Sequence, residues 1–95
     1  MMTNTDIYNL KTFKFKVNMK LKASLHLNKK LKELCIAEID KIRLPMSDYY
    51  MWSDITNFST FIGKCVARLD SCLSDNNVNR ATIDKVKDDI TKLRL

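Results

Sequence analysis

An uninterrupted alternation of hydrophobic and polar residues runs from residue 12 to residue 27. The apolar members occupy the odd-numbered positions: Phe13, Phe15, Val17, Met19, Leu21, Ala23, Leu25 and Leu27. The even-numbered positions are polar and include four lysines, Lys14, Lys16, Lys20 and Lys22. Because successive side chains of a β-strand point to opposite faces, this alternation predicts a strand with one apolar face and one face of lysines.

A single strand of this length would be long for a small domain. At roughly 3.3 Å per residue it would extend about 53 Å, whereas strands usually contain about three to ten residues. A hairpin with a three-residue loop around Asn18 would preserve the alternation, but no Gly is present there to favour it. We therefore expect a long, bent strand or ribbon. Its pairing partner is residues 3–8, residues 49–52 or a second copy of the chain.

Segments with apolar residues at helical spacing follow the alternation. Asn28 is a suitable N-cap for the first predicted helix, which covers roughly residues 29–43 and ends before Pro45. The last segment begins after Asn79 or Thr82 and carries a narrow apolar stripe. This pattern predicts a helix on the surface of the domain.

The longest helical segment lies between these two and is the predicted central helix. Ser53 or Asp54 is its expected N-cap. Asn76 and Asn77 are expected to end it, because Asn tolerates the left-handed backbone conformation that Gly usually supplies after a helix. Gly63 lies inside the segment, where Gly destabilises a helix, and its presence predicts a close contact with a neighbouring element.

The predicted element order is β, α, α, α, which defines an α+β fold in a single small domain. Residues 1–27 form the β ribbon and residues 28–95 form the three-helix segment. The chain has 95 residues, of which 45% are hydrophobic and 29% charged, a composition typical of one globular core. A core of this size leaves little room for a deep catalytic cavity.

Positive charge is concentrated in the N-terminal half of the sequence. Residues 1–43 contain ten basic and four acidic residues, whereas residues 44–95 contain seven of each. Eight lysines and no acidic residue lie between Lys11 and Lys32. Such a local excess attracts polyanions, which include nucleic acids, anionic lipids and acidic proteins.

The lysine-bearing strand face predicts nucleic-acid binding. Alternate residues of a strand lie about 6.6 Å apart, close to the spacing of successive phosphates along a nucleic-acid strand. RNA or single strands are favoured over duplex DNA, because no helix-turn-helix is evident. The predicted phosphate-binding residues are Lys14, Lys16, Lys20 and Lys22 of the strand, with Lys29, Lys30 and Lys32 at the start of the first helix. The other interpretation of such a face is a solvated surface that prevents edge-to-edge aggregation.

Aromatic residues are concentrated between the first two predicted helices. Tyr49, Tyr50 and Trp52 follow Pro45 in a connection where polar residues are usual. They are candidate anchors for a protein partner, although an aromatic loop of a small domain often folds back over its own core. The alternative function is therefore an inhibitor or adaptor, such as a phage-encoded factor, that docks on an acidic host protein. Under either prediction an unpaired strand edge would allow a homodimer.

Residue types used in catalysis and metal binding are sparse. His26 is the only histidine, and no Cys or carboxylate stands at ligand spacing from it. Cys35, Cys65 and Cys72 lie in apolar stripes without C-x-x-C spacing, so they are predicted core residues of a protein in the reducing cytoplasm. No apolar run approaches the roughly 20 residues that span a bilayer. We therefore expect a non-enzymatic protein without cofactor, metal or membrane segment.

Overall fold

The structure, a computed structural model, describes residues 3–44 and 57–95. These ranges form four α-helices: α1 (Asn4–Lys22), α2 (Lys29–Asp40), α3 (Phe58–Asp75) and α4 (Arg80–Thr91). Neither range contains a strand. The predicted α+β fold is therefore wrong, because residues 3–27 of the predicted β ribbon form α1, its N-cap and the linker that follows it.

Helix α1 begins at a capping box whose residues precede the alternating segment. The hydroxyl of Thr3 accepts a hydrogen bond from the backbone N–H of Asp6 at 3.1 Å, and the Asp6 carboxylate accepts one from the Thr3 N–H at 3.1 Å. The two bonds satisfy N–H groups that a helix start leaves without partners. The same bonds to Thr3 lower the pKa of Asp6. The helix thus starts eight residues before the position at which the alternation becomes visible.

The buried side of α1 follows the helical period and not the period of two. Its buried residues are Ile7, Leu10, Phe13, Val17 and Leu21. The first two of these precede the alternation, so the pattern that begins at residue 12 conceals part of the stripe. Val17 is the only β-branched residue among the alternating apolar positions, and Leu, Met and Lys are good helix formers. Intrinsic propensity therefore favours the helix over the strand.

Asparagine caps begin the other three helices. The side-chain oxygens of Asn28, Asn57 and Asn79 accept hydrogen bonds from backbone N–H groups three residues later, at 2.9, 2.8 and 2.8 Å. These bonds confirm the predicted cap Asn28, and of the two candidates Asn79 and Thr82 they identify Asn79 as the cap of α4. The predicted caps Ser53 and Asp54 lie outside the described residues.

The end of α3 confirms the role predicted for its asparagines. Asn77 adopts a φ of 61°, and its N–H donates to the carbonyl of Ser74 at 3.1 Å. The N–H of Val78 donates to the carbonyl of Leu73 at 3.0 Å. This pair of bonds is the Schellman arrangement, which reverses the chain between α3 and α4. Gly63 differs from its prediction, since a Cβ built on it would have nothing within 4 Å.

The four helices enclose one hydrophobic core. α3 packs against α2 and α4, and α1 packs against the same two helices. Phe13 of α1 meets the rings of Phe58 and Phe61 edge-on, at centroid distances of 5.5 and 6.0 Å. From the C-terminal helix, Ile83 and Ile90 complete the core. α1 is therefore held along its inner side, and its opposite side remains open to solvent.

Candidate functional site

The helix separates the lysines that a strand would have placed on one face. Successive helical residues are rotated by about 100°, so Lys14 lies near the buried side of α1. Its Nζ donates to the backbone carbonyls of Asp40 and Ile42 at 3.4 and 3.3 Å. These carbonyls belong to the end of α2, where a cation is favourable. Lys14 thus stabilises the packing of α1 on α2, and the flat strand face to which it was assigned does not form.

The remaining lysines of α1 flank a different side of the helix. Lys16 is half-buried, and its Nζ donates to the backbone carbonyl of Arg94 at 3.1 Å. Lys20 and Lys22 are exposed and have no hydrogen bond or ion pair with another described residue. The predicted four-lysine surface is therefore divided between two lysines in internal contacts and two exposed ones.

The predicted lysines of α2 stand in its first turns. Lys29 and Lys30 are exposed and Lys32 is half-buried, and no acidic residue occupies the first turn. Together with Lys20 and Lys22 they lie on either side of the linker formed by residues 23–28. Within the described ranges, none of these five lysines has an ion pair. Five lysines without ion pairs to other described residues therefore flank the linker.

A stripe of exposed apolar side chains runs along α1 and was not predicted from the sequence. Tyr8, Phe15 and Met19 are 68%, 64% and 47% exposed. Their spacing of seven and four residues places them on one side of the helix. The signal was present in the sequence, but a strand would have turned Phe15 and Met19 toward the core. We call Tyr8, Phe15 and Met19 the outer stripe of α1.

Lysines border the outer stripe on both sides. On a helix, Lys11 and Lys22 neighbour the stripe at one edge, at spacings of three, four or seven residues. Lys16 neighbours it at the other edge, and Lys20 lies one turn beyond Lys16. The only acidic residue of α1 is Asp6, which is engaged in the capping box. The outer side of α1 therefore combines large apolar side chains with positive charge.

An open groove lies at the edge of the outer stripe, between α1 and the residues that follow α4. Phe15, Met19, Ala23 and Leu93 form its apolar part, in a volume of about 520 Å³. The charged side chains that line it are those of Lys16, Lys20 and Arg94. All three are cationic, so an occupant of the groove meets no carboxylate among the residues that line it.

A hydrogen bond from Nζ of Lys16 to the Arg94 carbonyl joins the chain after α4 to α1. Within that segment, Nη1 of Arg94 donates to the carbonyl of Leu93 at 2.9 Å. Lys16 and Arg94 are 78 positions apart in sequence. The groove is thus a tertiary feature, and the pattern of either segment alone could not reveal it.

The acidic residues of the C-terminal helices are largely neutralised within the molecule. Asp70 of α3 accepts from Arg80 at 2.8 Å and from Lys87 at 2.7 Å. The hydrogen bonds from Arg80 and then from Lys87 lower the pKa of Asp70 to about 2. Asp88 pairs with Lys92 at 2.7 Å. The excess positive charge therefore remains on α1 and at the start of α2.

The cysteine thiols are unsuited to nucleophilic chemistry. Burial is the main cause that raises the pKa of Cys35 and of Cys65 to about 12, and it also raises the pKa of Cys72. Thiols with such values are protonated at neutral pH and react poorly.

His26 lies in the linker after α1, with Nε2 at 4.0 Å from Oδ2 of Asp89.

Neither a metal cluster nor a membrane span is found in the part of the chain that the structure describes. Across residues 3–44 and 57–95, no three His, Cys, Asp or Glu side chains are grouped as a metal site would require. Over the same ranges, no helix has the length and apolar character needed to cross a bilayer.

The predicted protein-binding residues Tyr49, Tyr50 and Trp52 lie outside the described residues. Their assignment stays a prediction. Comparisons with protein-family models, curated proteins and solved structures find no match.

Proposed function

We propose that this protein is a non-enzymatic binding module that docks on an acidic protein through the outer side of α1. The observation that carries the proposal is the outer stripe itself, in which Tyr8, Phe15 and Met19 are exposed among lysines. Aromatic residues and Met are enriched at the centres of protein interfaces. Isolated exposed apolar residues are ordinary, but three large ones aligned on one side of a helix are typical of an interaction surface.

The lysines around the stripe select the charge of the partner. Positive residues at the rim of an interface accelerate the encounter with an acidic protein and disfavour basic ones. Lys11 and Lys22 lie at one edge of the stripe and Lys20 lies beyond the other, all exposed. An acidic partner would therefore bury the apolar side chains while its carboxylates neutralise the surrounding ammonium groups.

The same surface is less well suited to a nucleic-acid strand. Phosphate tracking by Lys14, Lys16, Lys20 and Lys22 required one flat face, and α1 provides none. Nζ of Lys14 already donates hydrogen bonds to backbone carbonyls at the end of α2. The two aromatic rings of the outer stripe, Tyr8 and Phe15, are seven residues apart along α1, and Met19 offers no planar surface on which a base could stack. Nucleic-acid binding around the 23–28 linker is therefore the competing outcome in the experiment below.

Peptide selection tests both the surface and the chemistry of its partner. Random peptides displayed on phage are selected against the immobilised wild-type protein. Binding of the selected peptides is then measured on a Phe15→Ser/Met19→Ser variant, whose folding is checked by circular dichroism. We expect enriched peptides that combine acidic residues with large apolar residues and that bind the variant about tenfold more weakly, a loss of about 1.4 kcal/mol. Leu25→Ser is the matched control, because Leu25 is 97% exposed but lies in the linker beyond α1.

Two results would contradict the proposal. If the selected peptides bind the wild type and the Phe15→Ser/Met19→Ser variant equally well, the outer stripe is not part of the binding surface. The second is salt-dependent binding of a single-stranded RNA that is lost in Lys20→Glu/Lys30→Glu but kept in the apolar variant. That pattern would assign the basic linker region to nucleic acid.

A further inference from the structure

The groove beside the outer stripe has the features of an anchor site. We infer that it receives one large apolar side chain of the acidic partner, with carboxylates on both flanks of that side chain. This inference rests on the proposed function and adds to it the residues that follow α4. Leu93 and Arg94 thereby become part of the binding surface, although most of the sequence separates them from α1.

The groove has room for a large anchor. Phe15 and Met19 of α1 and Leu93 from the segment after α4 provide apolar contact, and Ala23 contributes only one methyl group. The groove is open, and its volume of about 520 Å³ can hold a large side chain. Interface hot spots are commonly large side chains seated in such depressions.

The charges around the groove favour acidic residues on either side of the partner's apolar side chain. Lys16 and Lys20 stand on the α1 side and Arg94 stands on the other. A guanidinium has five N–H donors, and Arg94 donates from Nη1 alone, toward the carbonyls of Leu93 and Thr91 among the described residues. Donors therefore remain for a carboxylate of the partner. An apolar anchor between acidic residues would place negative charge against cations on both walls.

A second copy of this chain is a poor occupant. Its own α1 is basic, so two outer stripes would bring like charges together. Two exposed carboxylates of α4 are already engaged, since Asp84 lies 3.7 Å from Arg80 and Asp88 lies 2.7 Å from Lys92. Charge complementarity thus favours a separate acidic partner over self-association.

The test uses a defined probe, a fluorescein-labelled peptide with a single Trp between two pairs of Glu. Its affinity is measured by fluorescence anisotropy at low salt for the wild type, for Ala23→Trp and for Leu25→Trp. Ala23→Trp fills the groove without changing its charge, and Ala23 is an exposed C-cap position that tolerates a larger side chain. We expect about tenfold weaker binding for Ala23→Trp and unchanged binding for Leu25→Trp.

The outcomes separate this inference from the proposed function. If the probe does not bind the wild type, or binds Ala23→Trp as tightly, the groove is not the anchor site. In that case the proposed function stands whenever the peptides selected on phage still require Phe15 and Met19. If those peptides are also insensitive to the outer stripe, both the inference and the proposed function are wrong.

Discussion

Phe13 and Phe15 stand two positions apart, and the alternating pattern assigns them the same role. On the helix their environments differ, since Phe13 is 3% exposed and Phe15 is 64% exposed. We expect Phe13→Ala to lower the free energy of unfolding by about 3–5 kcal/mol, as for other buried Phe residues. Phe15→Ala should change it by about 0.5 kcal/mol or less. Urea unfolding followed by circular dichroism measures both, and equal large losses would support a strand instead.

Asp70 gives the stability of the protein a specific pH dependence. Its pKa is lowered to about 2 from an ordinary value of 3.8 by the hydrogen bonds from Arg80 and Lys87. A lowered pKa means that the folded state favours the ionised carboxylate, so the stabilisation is complete above about pH 4 and disappears as the pH falls toward 2.

The substitution Asp70→Asn tests this dependence. We expect the variant to be less stable than the wild type at neutral pH, and the difference to shrink between pH 3.8 and about 2. Thermal unfolding at several pH values provides the measurement. A difference that stays constant down to the lowest pH would show that the ion pairs with Arg80 and Lys87 do not form.

At the level of single elements, α3 contains a glycine, Gly63, whose lack of a side chain is not required by any neighbouring group that the structure describes. Gly63 is exposed, and a Cβ at this position would meet nothing within 4 Å. Because Gly costs a helix interior about 0.5–1 kcal/mol relative to Ala, Gly63→Ala should raise the free energy of unfolding by that amount. Chemical denaturation checks the sign, and a loss of stability would indicate a close contact at Gly63.

Asn77 lies in the turn between α3 and α4, and its substitution by Ala should have the opposite effect on stability to that of Gly63→Ala. Its φ of 61° lies in the left-handed region, which side chains with a Cβ other than Asn and Asp rarely adopt. Asn77→Ala should therefore lower the free energy of unfolding by about 1 kcal/mol. The same denaturation experiment measures it, and an unchanged stability would show that the turn between α3 and α4 does not need this conformation.

The helices differ in how far the sequence could predict them. Asn28 reveals the start of α2, and Asn79 and Thr82 are the two candidates for the start of α4, because capping is a local interaction within one helical turn. α1 was mistaken for a strand because its apolar residues occupy both the inner and the outer side, which hides the helical period. The capping box of Thr3 and Asp6 and the buried Ile7 were available signals. They lay before the segment in which the alternation is strongest.

The candidate site could be predicted only in part, for the same reason. The sequence identified the lysines of α1 and α2 but assigned Phe15 and Met19 to the core. Once the chain is helical, the odd-numbered apolar residues of α1 divide between Phe13, Val17 and Leu21 inside and Phe15 and Met19 outside. The groove depends on the contact of Lys16 with Arg94. Such long-range contacts follow from packing and leave no local pattern.

At the scale of the whole molecule, the net positive charge lies in residues 1–43, chiefly on α1, and residues 44–95 are balanced. This asymmetry should steer an acidic partner toward α1. We expect Lys20→Gln/Lys22→Gln to slow the association of a selected acidic peptide several-fold and to weaken its dependence on salt. Lys85→Gln, on α4, is the control and should leave the rate unchanged. Stopped-flow fluorescence measures both variants, and an equal effect of the two would argue against local steering.

The outer side of α1 is, in our proposal, the surface at which this protein meets an acidic partner. The most direct measurement is a titration of the isotope-labelled protein with a selected acidic peptide, followed by amide chemical shifts. We predict saturable shifts at Tyr8, Phe15 and Met19, with a further response at Leu93. Shifts confined to Lys29 and neighbouring residues of α2, or no saturable change along α1, would contradict the proposal.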